Sequence, residues 1–292
     1  MKFFCLDERK VWHGPMLKVA RDRGYDARRI FRGEECEGPG VGFIRPHADP
    51  KRLKENRDDF ALMSKRLRMV QDQTQIDVYE DKSAQFWRWR DWMPDTWRFS
   101  GKDEAIRFAE SADYPLVSKA DVGASSKNVR ILKTRAEGVR HCVEVFDKGI
   151  EVDHCAGGKK SWQKGYVLLQ RFIPHSITWR VNAIGNARAI FKRYCYPDRP
   201  VAQTGNVEPA MQLDTETESL LEFADRFFQH AGTNWCAIDV LKDGDEWRLL
   251  ETSLAWPWPS PGKCNDAPIF GTDKKWIQLF DVMFDEIESG AW

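Results

Sequence analysis

Two lysines, a loop of small residues and two carboxylates follow one another in this sequence in an order suited to handling a polyphosphate. Glu80-Asp81-Lys82 opens a helix, and thirty-seven residues after Lys82 the segment Tyr114-Pro115-Leu116-Val117-Ser118-Lys119 ends a strand. The loop Gly123-Ala124-Ser125-Ser126 comes directly after it, and a further strand closes with Leu168-Leu169-Gln170-Arg171-Phe172-Ile173. Near the C-terminus, Ile238-Asp239-Val240 and Leu249-Leu250-Glu251 form a two-stranded unit. Lysines converging from separate lobes neutralise a triphosphate as compact point charges. A Gly/Ala/Ser loop lets backbone N–H groups approach phosphate oxygens. Asp239 and Glu251 offer the hard oxygen ligands that magnesium prefers, with phosphate and water completing its octahedron. Taken singly, a strand-end lysine or a hairpin carboxylate is ordinarily solvated surface. Order and spacing carry the reading.

The elements that must position these groups alternate. Short apolar runs at 2–6, 25–31 and 41–44 read as strands around a helix at 15–23, which argues for a small α/β lobe with a mainly parallel sheet. A charged helix over 50–69 and a brief strand at 75–78 follow. Met93-Pro94-Asp95-Thr96 reads as a linker, since proline restrains its neighbour. Beyond it lie a helix at 102–111, strands at 116–119 and 128–132, a helix at 136–145 and a loop at 154–161. The chain then turns β-rich, with strands at 166–173, 177–185, 187–196, 235–241 and 248–253 between helices at 215–230 and 274–288.

The chain of 292 residues is 42% hydrophobic and 31% charged, enough to bury a sizeable core. Lys+Arg and Asp+Glu balance at 45 each, so the overall charge gives no reason to expect a polyanion or membrane partner. No apolar run approaches the roughly 18 residues of a membrane span, and the N-terminus turns charged too soon for a secretory core. Seven scattered cysteines without a CxxC favour reduced thiols in a cytoplasmic setting. Thirteen tryptophans include Trp87, Trp89 and Trp92, interleaved with Arg88 and Arg90. Such a stretch either stacks on bases or packs a helix against a neighbouring lobe, and tryptophan's usual burial favours packing.

Together these features resemble the ATP-grasp superfamily, in particular its branch of glutamate-type ligases that includes ribosomal-protein glutamate ligases and bacterial glutathione synthetases. The resemblance runs over nearly the whole chain. It implies an α/β, three-lobed ATP-grasp fold, with an N-terminal lobe at 1–95, a central lobe at 96–168 and a C-terminal lobe at 169–292. By that resemblance Lys82 and Lys119 are the paired phosphate lysines, and Ser125 and Ser126 belong to the flap over the β- and γ-phosphates. Gln170, Arg171, Phe172 and Ile173 form the adenine hinge, with Arg171 and Ile173 reading the base through backbone groups. Asp239 and Glu251, with Ser253 beside them, are the magnesium ligands. Arg180 and Arg193 hold the transferred phosphate and the developing acyl phosphate. The implied activity is that of a carbon–nitrogen ligase using ATP and Mg on small-molecule or peptide carboxylate and amine substrates. A kinase-like or thiol-ligating variant is the nearest rival, and a nucleic-acid-binding module the more distant one.

Three positions depart from the family's pattern. Thr178 stands where an acid usually meets the ribose hydroxyls, Ser253 where an asparagine completes Glu-x-Asn, and Ala237 where some relatives carry a substrate arginine. Glu208 is the acid that could replace Thr178 at the ribose. The hairpin offers a geometric condition. A two-residue Asp243-Gly244 turn puts Asp239 and Glu251 on opposite faces, whereas a five-residue loop over 243–247 sets them opposite one another. A shared metal requires the longer loop. His141-Cys142, His154-Cys155 and Cys264 lack zinc-ligand spacing, and no GxSxG or Walker loop occurs. Arg45, after the strand at 41–44, either reaches the central cleft to hold a substrate carboxylate or is a surface arginine.

Overall fold

Phe3, Phe4, Cys5 and Leu6 leave β1 (Lys2–Asp7) without a polar face, and it is buried on both sides. That is the pattern of a central strand in a parallel sheet. The computed structural model describes residues 1–7, 12–122, 128–153, 160–196, 199–254, 256, 264–290 and 292. In the first lobe α1 (His13–Asp22) leads to β2 (Asp26–Ile30), and β3 (Gly40–Arg45) to α2 (Pro50–Met63) and β4 (Arg68–Met69). The strands form a parallel sheet in the order β2-β1-β3-β4. Asp49 caps α2 by accepting from the amides of Lys51 and Arg52, and the helix stops at Met63, short of the expected 69.

The strand expected at 75–78 is helical. Asp72 accepts from the Gln75 amide at 2.9 Å and so caps α3 (Gln73–Val78). Asp81 does the same for α4 (Lys82–Trp89), accepting from Ala84.

The middle lobe is a four-stranded antiparallel sheet, with β5 (Thr96–Phe99), α5 (Lys102–Ser111), β6 (Leu116–Lys119), β7 (Val129–Leu132) and α6 (Arg135–Asp147). A small hairpin, β8 (Ile150–Asp153) and β9 (Lys160–Gln163), precedes β10 (Val167–Arg171). The order is β5-β10-β6-β7, so β10 carries this sheet to Arg171, past the lobe boundary expected at 168/169.

The third lobe holds β11 (Ile177–Ile184), β12 (Ala187–Tyr196), β13 (Arg199–Pro209), α7 (Thr215–Ala231), β14 (Trp235–Asp243), β15 (Glu246–Ser253) and α8 (Leu279–Ser289). Its antiparallel order is β13-β12-β11-β14-β15. Alternation sorts its faces. Trp179, Val181, Ala183, Ile238 and Val240 pack with Phe227 and Phe228 of α7. Ile184, Ala189, Phe191, Trp235 and Ala237 join the core of the first lobe. Aromatic contacts cement that junction, with Trp12 and Phe43 lying 6.1 and 5.4 Å from Trp235. The tryptophan stretch packs too: Trp89 and Trp92 each stand 5.3 Å from Phe227, while Trp87 is exposed. Among the described residues no helix is long and apolar enough to cross a membrane.

The β14–β15 hairpin overturns the expected loop length. Asp243 pairs with Glu246, so only Gly244 and Asp245 turn the chain, and Gly244 takes the left-handed φ of +62° open to glycine. The pairing shifts between Val240–Leu249 and Asp239–Glu251, which makes Leu250 the extra residue of a β-bulge. The bulge restores what the short turn would have lost. Asp239 and Glu251 face each other.

Candidate active site

The charged groups meet where the three lobes join. Lys82, first residue of α4, places Nζ 3.7 Å from Glu251 Oε2. Lys119, last residue of β6, donates to the carbonyl of the bulged Leu250 at 3.4 Å. A pocket at this junction is lined by Lys82, Lys119, Thr96, Leu168, Gln170 and Leu250. Burial, aided by the neighbouring Lys82 charge and opposed by Glu251, pushes the Lys119 ammonium down to about 8.

Asp239 sits deeper, 4% exposed. Arg180 meets it through Nε and Nη2 at 2.6 and 2.8 Å, and Arg193 donates to the same carboxylate through Nη1. Burial alone would raise this carboxyl, but the two guanidinium groups outweigh it and hold it well below the usual carboxylate range. Two lysines and two arginines therefore face two carboxylates. The surplus of positive charge suits an anionic ligand.

Magnesium fits this donor set in kind. Asp239 and Glu251 supply hard oxygens, Ser253 follows Glu251 on the same face, and one or two carboxylates with phosphate and water are what magnesium takes. Among the described residues no group of three or more His, Cys, Asp and Glu side chains forms a metal cluster. His141 is occupied elsewhere, with Nε2 2.7 Å from Ser118 Oγ. Burial lowers its pKa to about 4.

Of the expected adenine segment, Gln170 lines the pocket. Gln170 is buried and donates to Thr96 Oγ1 at 2.8 Å. The Arg171 amide donates to the Asp95 carbonyl at 2.8 Å, so only its carbonyl is left to read a base. The Arg171 side chain ties Asp95 to Asp243 at 2.9 and 2.6 Å. Phe172 stacks loosely on His175, their centroids 6.4 Å apart, and His175 Nδ1 lies 2.7 Å from the Ile173 carbonyl. Thr178 is 4% exposed, and its hydroxyl has no hydrogen-bond partner among the described residues. Glu208 accepts from the Tyr194 hydroxyl at 2.7 Å. Ser125 and Ser126 lie outside the described residues.

Arg45 is no surface arginine. It is 7% exposed, lies over the Trp12 ring at 4.7 Å and stands 3.9 Å from Asp7.

Sequence reasoning missed the residues that hold the lysines in place. Asp121 roots the loop after β6 on α4: its Oδ1 accepts from the Ser83 amide at 3.0 Å and the Ser83 hydroxyl at 2.6 Å. Its other oxygen accepts from the Tyr166 hydroxyl, and its carbonyl accepts from the Lys82 amide at 3.1 Å. Burial, then the Asp121 carboxylate, pushes the Tyr166 phenol far up. The only sequence signal was an acid two residues after Lys119.

No family model matches the chain, and no curated protein matches it in sequence. Solved structures do. The chain is similar to a RimK domain ATP-grasp protein from Sphaerobacter thermophilus, with 16% identity, 98% of both chains covered and a TM-score of 0.66. It is similar to D-alanine–D-alanine ligase from Bacillus anthracis at 11% identity and TM-score 0.63, covering 99% of this chain and 98% of that one. The ATP-grasp ligase PsnB, solved with a precursor peptide and AMPPNP, superposes over 98% of both chains at 13% identity and TM-score 0.61. The fold is the ATP-grasp fold.

Proposed function

We propose that the protein is an ATP- and magnesium-dependent ligase that joins a carboxylate to an amine through an acyl phosphate. The observation that carries this reading is the convergence of Lys82, Lys119, Arg180 and Arg193 on Asp239 and Glu251 at the junction of the three lobes. Nucleotide ligands and ligase activities named for the similar structures support it.

In this reading the adenine lies against Gln170, Phe172, the Arg171 carbonyl and the Ile173 amide, which has no hydrogen-bond partner among the described residues. Lys82 and Lys119 neutralise the phosphates. The Asp239 triad repartitions when nucleotide arrives, and Arg180 and Arg193 turn from the carboxylate to phosphate oxygens, where planar guanidinium groups bind in two-pronged fashion. Asp239 and Glu251, with Ser253 beside them, would hold magnesium, which would supply charge stabilisation for the γ-phosphoryl group. A substrate carboxylate takes that group, an amine then attacks the acyl carbon, and phosphate departs. Rate enhancement rests on positioning and fixed charge, with no protein nucleophile.

Incubation with Mg-ATP and a pool of amino acids and dicarboxylates, read by mass spectrometry, tests this. An amide formed with ADP and phosphate is the expected result. A stable phosphorylated product without an amide would make the protein a kinase instead.

A further inference from the structure

Side chains alternate along a strand, so Thr178, Arg180, Asn182 and Ile184 of β11 share one face. Their cross-strand partners rule that face into rows. Arg193 lies beside Thr178, and Phe191 beside Arg180, followed by Asp239 and Glu251. The next row reads Ala189, Asn182, Ala237, Ser253, and the one beyond it Ala187, Ile184, Trp235. The charged row thus borders a neutral one, and the neutral row borders an apolar wall.

Asn182 is the anomaly of the neutral row. It is 1% exposed, and its Oδ1 has no hydrogen-bond partner among the described residues. Alanines on both sides offer it no polar neighbour. A buried polar group without a partner opposes folding, and an apolar residue here would be the stable choice. A polar group kept where an apolar one would be more stable is one mark of a functional site.

We propose that the Asn182 carboxamide is the docking point of the amine nucleophile, accepting an N–H of a neutral amine beside the acyl phosphate held at Arg180. This rests on the ligase reading above. Two residues of strand separate the side chains by about 7 Å, room for a phosphoryl group, the acyl carbon and the attacking nitrogen in sequence. A neutral acceptor suits this position. A carboxylate would favour the ammonium form, which has no lone pair to attack with. In the step itself the nitrogen lone pair forms the C–N bond and the C–O bond to phosphate breaks. Phosphate leaves with that electron pair and takes up the proton the amine sheds.

The test compares wild type with Asn182→Val and Asn182→Ala, using the full chain, Mg-ATP and the amino-acid and dicarboxylate pool, with and without hydroxylamine. Hydroxylamine is small enough to trap an acyl phosphate as hydroxamate without a docking group. The expected result is a ratio of amide to hydroxamate at least tenfold lower in Asn182→Val, together with a melting temperature higher by roughly 2–4 °C. An unchanged ratio, or a lowered melting temperature in Asn182→Val, overturns the assignment alone. If the wild type yields neither product, the ligase reading falls and this assignment with it.

Discussion

Gln85 meets the backbone of Thr252 as a neighbouring strand would: its Oε1 accepts from the Thr252 amide at 2.9 Å, and its Nε2 donates to the Thr252 carbonyl at 3.2 Å. The same Nε2 donates to the Val78 carbonyl at 3.1 Å, and the side chain is 2% exposed. Gln85 lies one helical turn beyond Lys82, and Thr252 follows Glu251. This pairing therefore sets the register of α4 on β15, and with it the 3.7 Å between Lys82 and Glu251.

Gln85→Leu keeps the bulk but leaves buried backbone groups unpaired, at about 1–3 kcal/mol each. We expect lower thermal stability and a higher magnesium requirement for turnover. Gln85→Glu should be worse at neutral pH, because a carboxylate cannot donate to two carbonyls. It should recover relative to wild type as acid protonates it. A magnesium titration of both variants across pH checks this, and a wild-type requirement in both would show that Gln85 only fills space.

The depressed Lys119 ammonium makes nucleotide affinity pH-dependent. With a folded-state pKa of about 8, the free protein loses this charge as pH rises through 8. Affinity for a non-hydrolysable ATP analogue should decline above that point, and Lys119→Arg should flatten the decline. The linkage to stability has the opposite sense. Between pH 8 and 10.5 the unfolded chain holds the proton and the folded chain does not, so stability contributed by this group rises with pH. Lys119→Met should accordingly melt higher at neutral pH while binding nucleotide poorly.

Asp239→Asn removes the anion between two guanidinium groups. Breaking one partner of a buried ion pair costs about 3–5 kcal/mol, and chemical denaturation should show a loss of that order. Arg180→Met in the same chain should recover part of it. Since the arginines hold the Asp239 carboxyl below its usual range, the contribution is complete above the unfolded value of 3.8 and is lost only in stronger acid. A midpoint for this loss near neutrality would contradict the triad.

His141 supplies the acid limb instead. Its folded-state pKa of about 4 against an ordinary 6.5 means that stability falls as pH drops from 6.5 to 4, by up to roughly 3 kcal/mol. His141→Gln should melt with a shallower pH dependence over that window. Equal slopes would show that His141 takes up its proton in the fold without penalty.

In the third lobe β11, β12, β14, β15 and α7 were legible from their clean periodicities, and α7 even opens with its capping Asp214, whereas the eleven-residue β13 was not read. The charged positions followed from order along the chain. What escaped was structure set by tertiary pairing. The segment 75–78 reads as a strand from Ile76 and Val78, yet Asp72 caps it into a helix. Strands β5, β8 and β9, four residues each, were not read, although β6 and β7 of the same length were. The bulge at Leu250 has no sequence signature, so a two-residue turn and facing carboxylates looked incompatible. Gln85 and Asn182 are ordinary polar residues until their burial is known.

Calorimetric titration of magnesium-AMPPNP into wild type, Lys82→Ala and Lys119→Ala tests the central claim most directly. The account predicts saturable binding to the wild type and affinity at least tenfold weaker, about 1.4 kcal/mol, in each variant, with no loss of thermal stability. Absence of binding to the wild type, or unchanged affinity in both variants, would contradict a triphosphate site between these lysines.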